Sequence, residues 1–190
     1  MTNAAAADSA AIEPTSRRAL LGAGVVGAAL AVAGSRSVNA AAPRPSDDLA
    51  VADLAIGYEL AARDLYDAAI AAGSSDVLWH VLREQHESYG QRLSGLVGQP
   101  AQTSSTALFD SLSGEFSSSE PFAAAMELES TLAATHTESL ATVTSSKMID
   151  AIASIVALES RHAAVLGIRS GITGGDELFV NAAAVFTGEA

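Results

Sequence analysis

Residues 154–167 read SIVALESRHAAVLG, the apolar spacing of a buried helix interrupted by two ionisable side chains. At 3.6 residues per turn one stripe runs Met148, Ile152, Ile155, Glu159, His162, Leu166, which puts Glu159 and His162 on the face that packing should keep driest. A buried carboxylate without a partner is costly. The pair therefore predicts a compensating neighbour: a hydrogen bond, an opposite charge or a metal ion.

The surrounding pattern is helical, with few competing strand signals. A first helix is expected over 46–72, opened by Ser46, Asp47 and Asp48 and closed at Gly73. A second follows with Ser75 as its cap and runs to Val97, where Gly98 and Pro100 stop it. The third starts near Ser119, with Pro121 in its first turn, and reaches about Val143. The fourth spans Ser146 to Leu166, with Gly167 marking its end. A short helix is expected at 107–112 in the polar stretch between them, and another at 176–184, packed outside the bundle. Connections of a few residues make helices one and two antiparallel, and likewise three and four. The middle connection of about 20 residues can return along a helix roughly 30 Å long, so the two hairpins can be joined by a long crossover.

Ahead of these helices, TSRRALLGAGVVGAALAVAGSRSVNA places Arg17 and Arg18 before a weakly apolar run that is short for a membrane span. It leads into Val38, Asn39, Ala40, a small-residue spacing acceptable to a signal peptidase. The stretch resembles a twin-arginine export signal, with the additional Arg36 near the cleavage site. That resemblance implies a cleaved leader over 1–40, passage through the twin-arginine export machinery and an exported product, in periplasm, cell envelope or medium. A linker over 41–45, the helical region 46–167 and a tail over 168–190 would remain. The whole chain carries 10 Lys and Arg against 22 Asp and Glu. An acidic surface of that kind repels nucleic acid and anionic lipid, which excludes both as partners once the leader is gone. The chain has no cysteine, so disulfides and iron–sulfur clusters are excluded and packing must supply the stability. Nothing in the sequence sets an oligomeric state.

Four long helices with a crossover, and ionisable residues near the middle of each, resemble the ferritin-like family of all-α four-helix bundles. Its di-metal members carry Glu, Glu-x-x-His, Glu and Glu-x-x-His on successive helices. Matched residue by residue, the resemblance implies metal ligands at Glu59 on helix one, His86 on helix two, Glu129 on helix three, and Glu159 with His162 on helix four. Arg83 stands where the second Glu of helix two belongs, while Glu84 and Glu87 lie off the His86 face. With Arg83 pointing inward, two divalent ions would leave a large positive excess, so the count allows one divalent ion, iron or manganese, or none. His136 lies about 10 Å along the axis from Glu129, too far to share its ion, and reads as a core histidine. Arg63 reads as the partner of Glu59, and His80 as solvated. Two functions follow from this degenerate site: a non-enzymatic exported bundle or weak single-metal binder, or an iron- or manganese-dependent oxidase or peroxide-handling protein.

Overall fold

The computed structural model describes residues 45–101, 103–118 and 121–188. The chain divides into two units, 1–39 and 40–190; the expected leader over 1–40 and the expected linker, except Pro45, lie outside the described residues. Six helices follow: α1 Pro45–Ala71, α2 Val77–Val97, α3 Thr106–Phe116, α4 Phe122–Ser139, α5 Ser146–Arg169 and α6 Gly175–Phe179. Among the described residues there is no strand. The protein is all-helical.

Local chemistry sets the helix ends. Gly73 closes the turn after α1 with φ +94°, which a side chain would oppose. Asp76, rather than Ser75, caps α2 by accepting the Leu78 N–H at 2.9 Å. Ser105 opens α3, which outruns its expected span because Leu108 and Phe116 both bury against the bundle. Four residues before the expected Val143, α4 stops, and Asp48 at the start of α1 accepts the backbone N–H of Thr144 and Ser145, each at 2.8 Å. The fourth long helix, α5, passes through Gly167 and ends before Gly171, where φ is +96°. Gly167 is therefore no helix stop. A methyl there would lie 2.8 Å from Leu178 Cδ2 and 3.1 Å from Met126 Sδ, so the bare backbone is what lets α6 and α4 approach. The last helix, α6, is shorter than expected, and residues 180–187 beyond it are neither helix nor strand. They are held by Asn181, whose amide donates to the Ser130 carbonyl, and by the Phe186 N–H, which donates to Thr135 Oγ1.

Side-chain pairing gives the directions. The short turns 72–76 and 140–145 fold α1 against α2 and α4 against α5. Tyr66 on α1 meets Glu129 on α4, while Glu59 meets His136, so α1 and α4 are antiparallel and α2 runs the same way as α4. Two apolar layers fill the interior. One contains Leu65, Tyr66, Trp79, Leu82, Leu128 and Leu132; the other contains Ile56, Leu60, Leu93, Met148, Ile152 and Ile155. Glu59, His86, Glu129 and Glu159 lie near the middle of their helices, between these layers, and His136 lies in the last turn of α4. By length and composition Ser146–Arg169 is apolar enough to cross a membrane; here its Met148, Ile152, Ile155 and Leu166 are buried in the core.

Candidate metal centre

Between the two apolar layers lie three carboxylates and three imidazoles. Glu59, His86, Glu129 and Glu159 have no solvent exposure, His136 has 1% and the His162 side chain 12%. They form two triads, His86–Glu129–His162 and Glu59–His136–Glu159, in each of which one donor atom per residue lies within 4.8 Å of the others. Each triad draws on more than one helix, so the site exists only when the hairpins pack together.

His86 joins the two triads. Its Nδ1 stands 2.7 Å from Glu59 Oε2 and its Nε2 3.0 Å from Glu129 Oε1. A neutral ring would turn one lone pair toward a carboxylate, so this geometry calls for an imidazolium that donates from both nitrogens. Burial alone lowers the His86 pKa, but the charge and hydrogen bond of Glu129, and then those of Glu59, raise it well above the ordinary value. His136 donates from Nε2 to Glu59 Oε1 at 2.9 Å. Against the effect of burial, the charge of Glu159 and the bond and charge of Glu59 hold its pKa at about 9.

Glu129 is the most heavily bonded carboxylate. Besides His86 it accepts from His162 Nδ1 at 3.2 Å and from the Tyr66 hydroxyl at 2.6 Å. Burial would raise its pKa, but the two histidines bring it down to about 2. The Tyr66 ring also stacks on His86, with centroids 5.6 Å apart. Glu159 is the exception. Both of its oxygens are buried without a hydrogen-bond partner. His136 Nε2 comes within 3.4 Å of it, but that N–H is directed at Glu59. Burial, together with repulsion from Glu59 and Glu129, pushes its pKa well up despite the attraction of His136. In the metal-free centre the carboxylates of Glu59 and Glu129 are thus held toward their charged form by the histidines, while burial drives Glu159 toward its neutral one.

The structure brings together the five residues singled out as ligands, Glu59, His86, Glu129, Glu159 and His162, and corrects the reading of three others. Arg83 does not enter the core: its guanidinium pairs with Asp67 at 3.2 Å and with Glu87 one turn on, and its side chain is 30% exposed. Its long stem lets the charge reach solvent from the flank of α2. Arg63 bonds its neighbour Asp64 at 2.6 Å, not Glu59. His136, taken as a core histidine, is the missing member of the second triad. The signal was its place on the inward stripe two turns beyond Glu129: too far for that ion, but level with Glu59 on the antiparallel α1. His80, Glu84, Glu127 and Glu138 are exposed. Comparison with protein-family models, with curated proteins and with solved structures finds no match to this chain.

Proposed function

We propose that this chain is an exported metal-binding bundle of the ferritin-like kind, with divalent iron or manganese held among Glu59, His86, Glu129, His136, Glu159 and His162. The observation that carries the reading is Glu159: a fully buried carboxyl group with neither oxygen hydrogen-bonded, facing a histidine and another carboxylate. Such an arrangement is costly in a metal-free core and becomes useful when a cation supplies the missing partner. Carboxylate and imidazole donors without thiolates suit iron and manganese. The parallel course of α2 and α4, which the long connection between them allows, supports the ferritin-like comparison.

With Arg83 outside, the earlier objection to two ions weakens. Three carboxylates against two divalent ions leave one positive charge, which one small anion would balance, and two triads are available. When bound, the metal supplies Lewis acidity and, if it is iron or manganese, one-electron redox chemistry. The chain's own part is to exclude water from the two triads, release the imidazolium protons on loading, and steady Glu129 through the Tyr66 hydroxyl.

A second reading, a purely structural Glu–His network, draws on the bridging of two carboxylates by His86. Elemental analysis of the protein purified from its native compartment, with anaerobic titration of chelator-treated protein by Fe(II) and Mn(II), separates the two. The expected result is one to two equivalents per chain and a higher Tm. No metal and no change in Tm would leave the structural network. Peroxide consumption by the iron-loaded protein then distinguishes an enzyme from a metal binder. For export, changing Arg17 and Arg18 to lysine should block secretion, and the secreted form should begin near Ala41.

A further inference from the structure

The second triad touches a pocket that the metal reading leaves unused. Between α1, α4 and the tail lies a cavity of about 280 Å³, with Leu54, Tyr58, Thr135, His136, Val185 and Phe186 among its walls. It is mostly apolar, and apart from His136 and the Tyr58 phenol its one ionisable wall residue is Glu138. Two aromatic rings frame it: Phe186 meets Tyr58 edge-on, with centroids 5.5 Å apart. Leu54 and Val185 are both exposed, which leaves an apolar rim. The outer wall is the tail itself, tied to α4 by the bond from the Phe186 N–H to Thr135 Oγ1 and by Asn181 to Ser130.

We propose that this pocket is a binding site for a small uncharged molecule about the size of a single aromatic ring, placed against His136, with residues 181–187 as its movable wall. Its volume falls at the lower end of small-ligand sites. Covering apolar walls of this kind removes them from water, which favours an uncharged guest. Glu138 at the edge disfavours anions. The tail carries few buried contacts beyond Phe186, the kind of segment that opens at low cost. Binding here would act on the triad through His136. The identity of the site as a substrate or effector pocket rests on the metal reading, but its existence does not.

The test therefore starts with metal-free full-length protein and phenol as probe, with benzoate as a charged ring of similar size. Phenol should shift the NMR signals of His136, Tyr58 and Phe186 in a saturable manner, and benzoate should bind at least tenfold more weakly. Leu54→Lys, at an exposed position, should weaken phenol binding at least tenfold without altering the fold. Phe186→Ala should make His136 react several-fold faster with diethyl pyrocarbonate, measured against exposed His80 in the same molecule. Phenol shifts confined to other regions, equal binding by Leu54→Lys, or unchanged His136 reactivity would overturn the proposal. In a separate arm phenol is added to protein loaded with Co(II). A protein that takes no metal but passes the phenol tests would sink the metal reading and leave the pocket standing.

Discussion

Glu129 and Glu159 are the same side chain in the same layer, yet their surroundings give opposite expectations. Glu129 accepts from His86, His162 and Tyr66, so Glu129→Leu should remove a partner from one buried and one part-buried imidazole and from a buried phenol, and cost about 3 kcal/mol or more in the metal-free protein. Glu159 accepts no hydrogen bond and keeps only the charge attraction of His136. Glu159→Met should stabilise the metal-free protein by roughly 1 kcal/mol, since an apolar group of similar size replaces an unpartnered carboxyl, while metal uptake falls sharply. Urea unfolding with and without Mn(II) measures both, and a loss of stability at position 159 without metal would show that its carboxyl has a partner. Arg83→Ala should cost less than about 1 kcal/mol, because its ion pairs with Asp67 and Glu87 are at the surface. Arg83→Glu should leave the number of bound ions unchanged, since the position points away from the triads. A stoichiometry that rose would return Arg83 to the core.

At the scale of the helix, most of the fold was legible in the sequence. Gly73, Gly98 and Pro121 punctuate the chain, and the stripe Met148, Ile152, Ile155, Glu159 and Leu166 of the fourth expected helix is buried. What stayed hidden was what no single stripe contains. His136 becomes a candidate ligand only when α1 is laid antiparallel to α4, and Arg83 leaves the core because Asp67 on α1 and Glu87 on α2 offer it carboxylates at the surface. Gly167 misled for a related reason. Its purpose is a close approach by Leu178 and Met126, two side chains from other elements. Gly167→Ala should raise the intrinsic helix preference of α5 by about 1 kcal/mol while displacing Leu178, so global stability stays nearly level. The readout is limited proteolysis, with faster cleavage around residues 175–187; an unchanged rate would mean that Leu178 moves aside without disturbing the tail.

The whole molecule should show its buried charges in its pH dependence. His136 has an ordinary pKa of 6.5 and a folded value of about 9, so its contribution is fully present below 6.5 and is lost as pH rises through 9. That contribution is roughly 3 kcal/mol. Glu159, raised by burial, changes stability in the same direction, because its neutral form is the one the fold favours. Glu129 acts at the other extreme: depressed to about 2, it contributes above 4.5 and is lost as acid approaches 2. Chelator-treated protein should therefore weaken steadily between pH 6.5 and 9, and metal should reverse the slope by favouring deprotonated ligands. A flat profile over that range would mean that His136 is neutral at pH 7.

The two hairpins are fastened at both ends. Asp48 grips the turn before α5, while Arg169 at the far end of α5 pairs with Asp76 at the head of α2. A beam clamped at each end bows most at midspan, and Glu59, His86, Glu129 and Glu159 lie near midspan of their helices, with His136 in the last turn of α4. Under the proposed metal reading, an ion would enter by sideways flexing beside His162, whose side chain is 12% exposed, with no end of the bundle coming undone. Loosening either clamp would convert that bowing into a hinge, and the same centre would exchange its metal by a different motion and at a different rate.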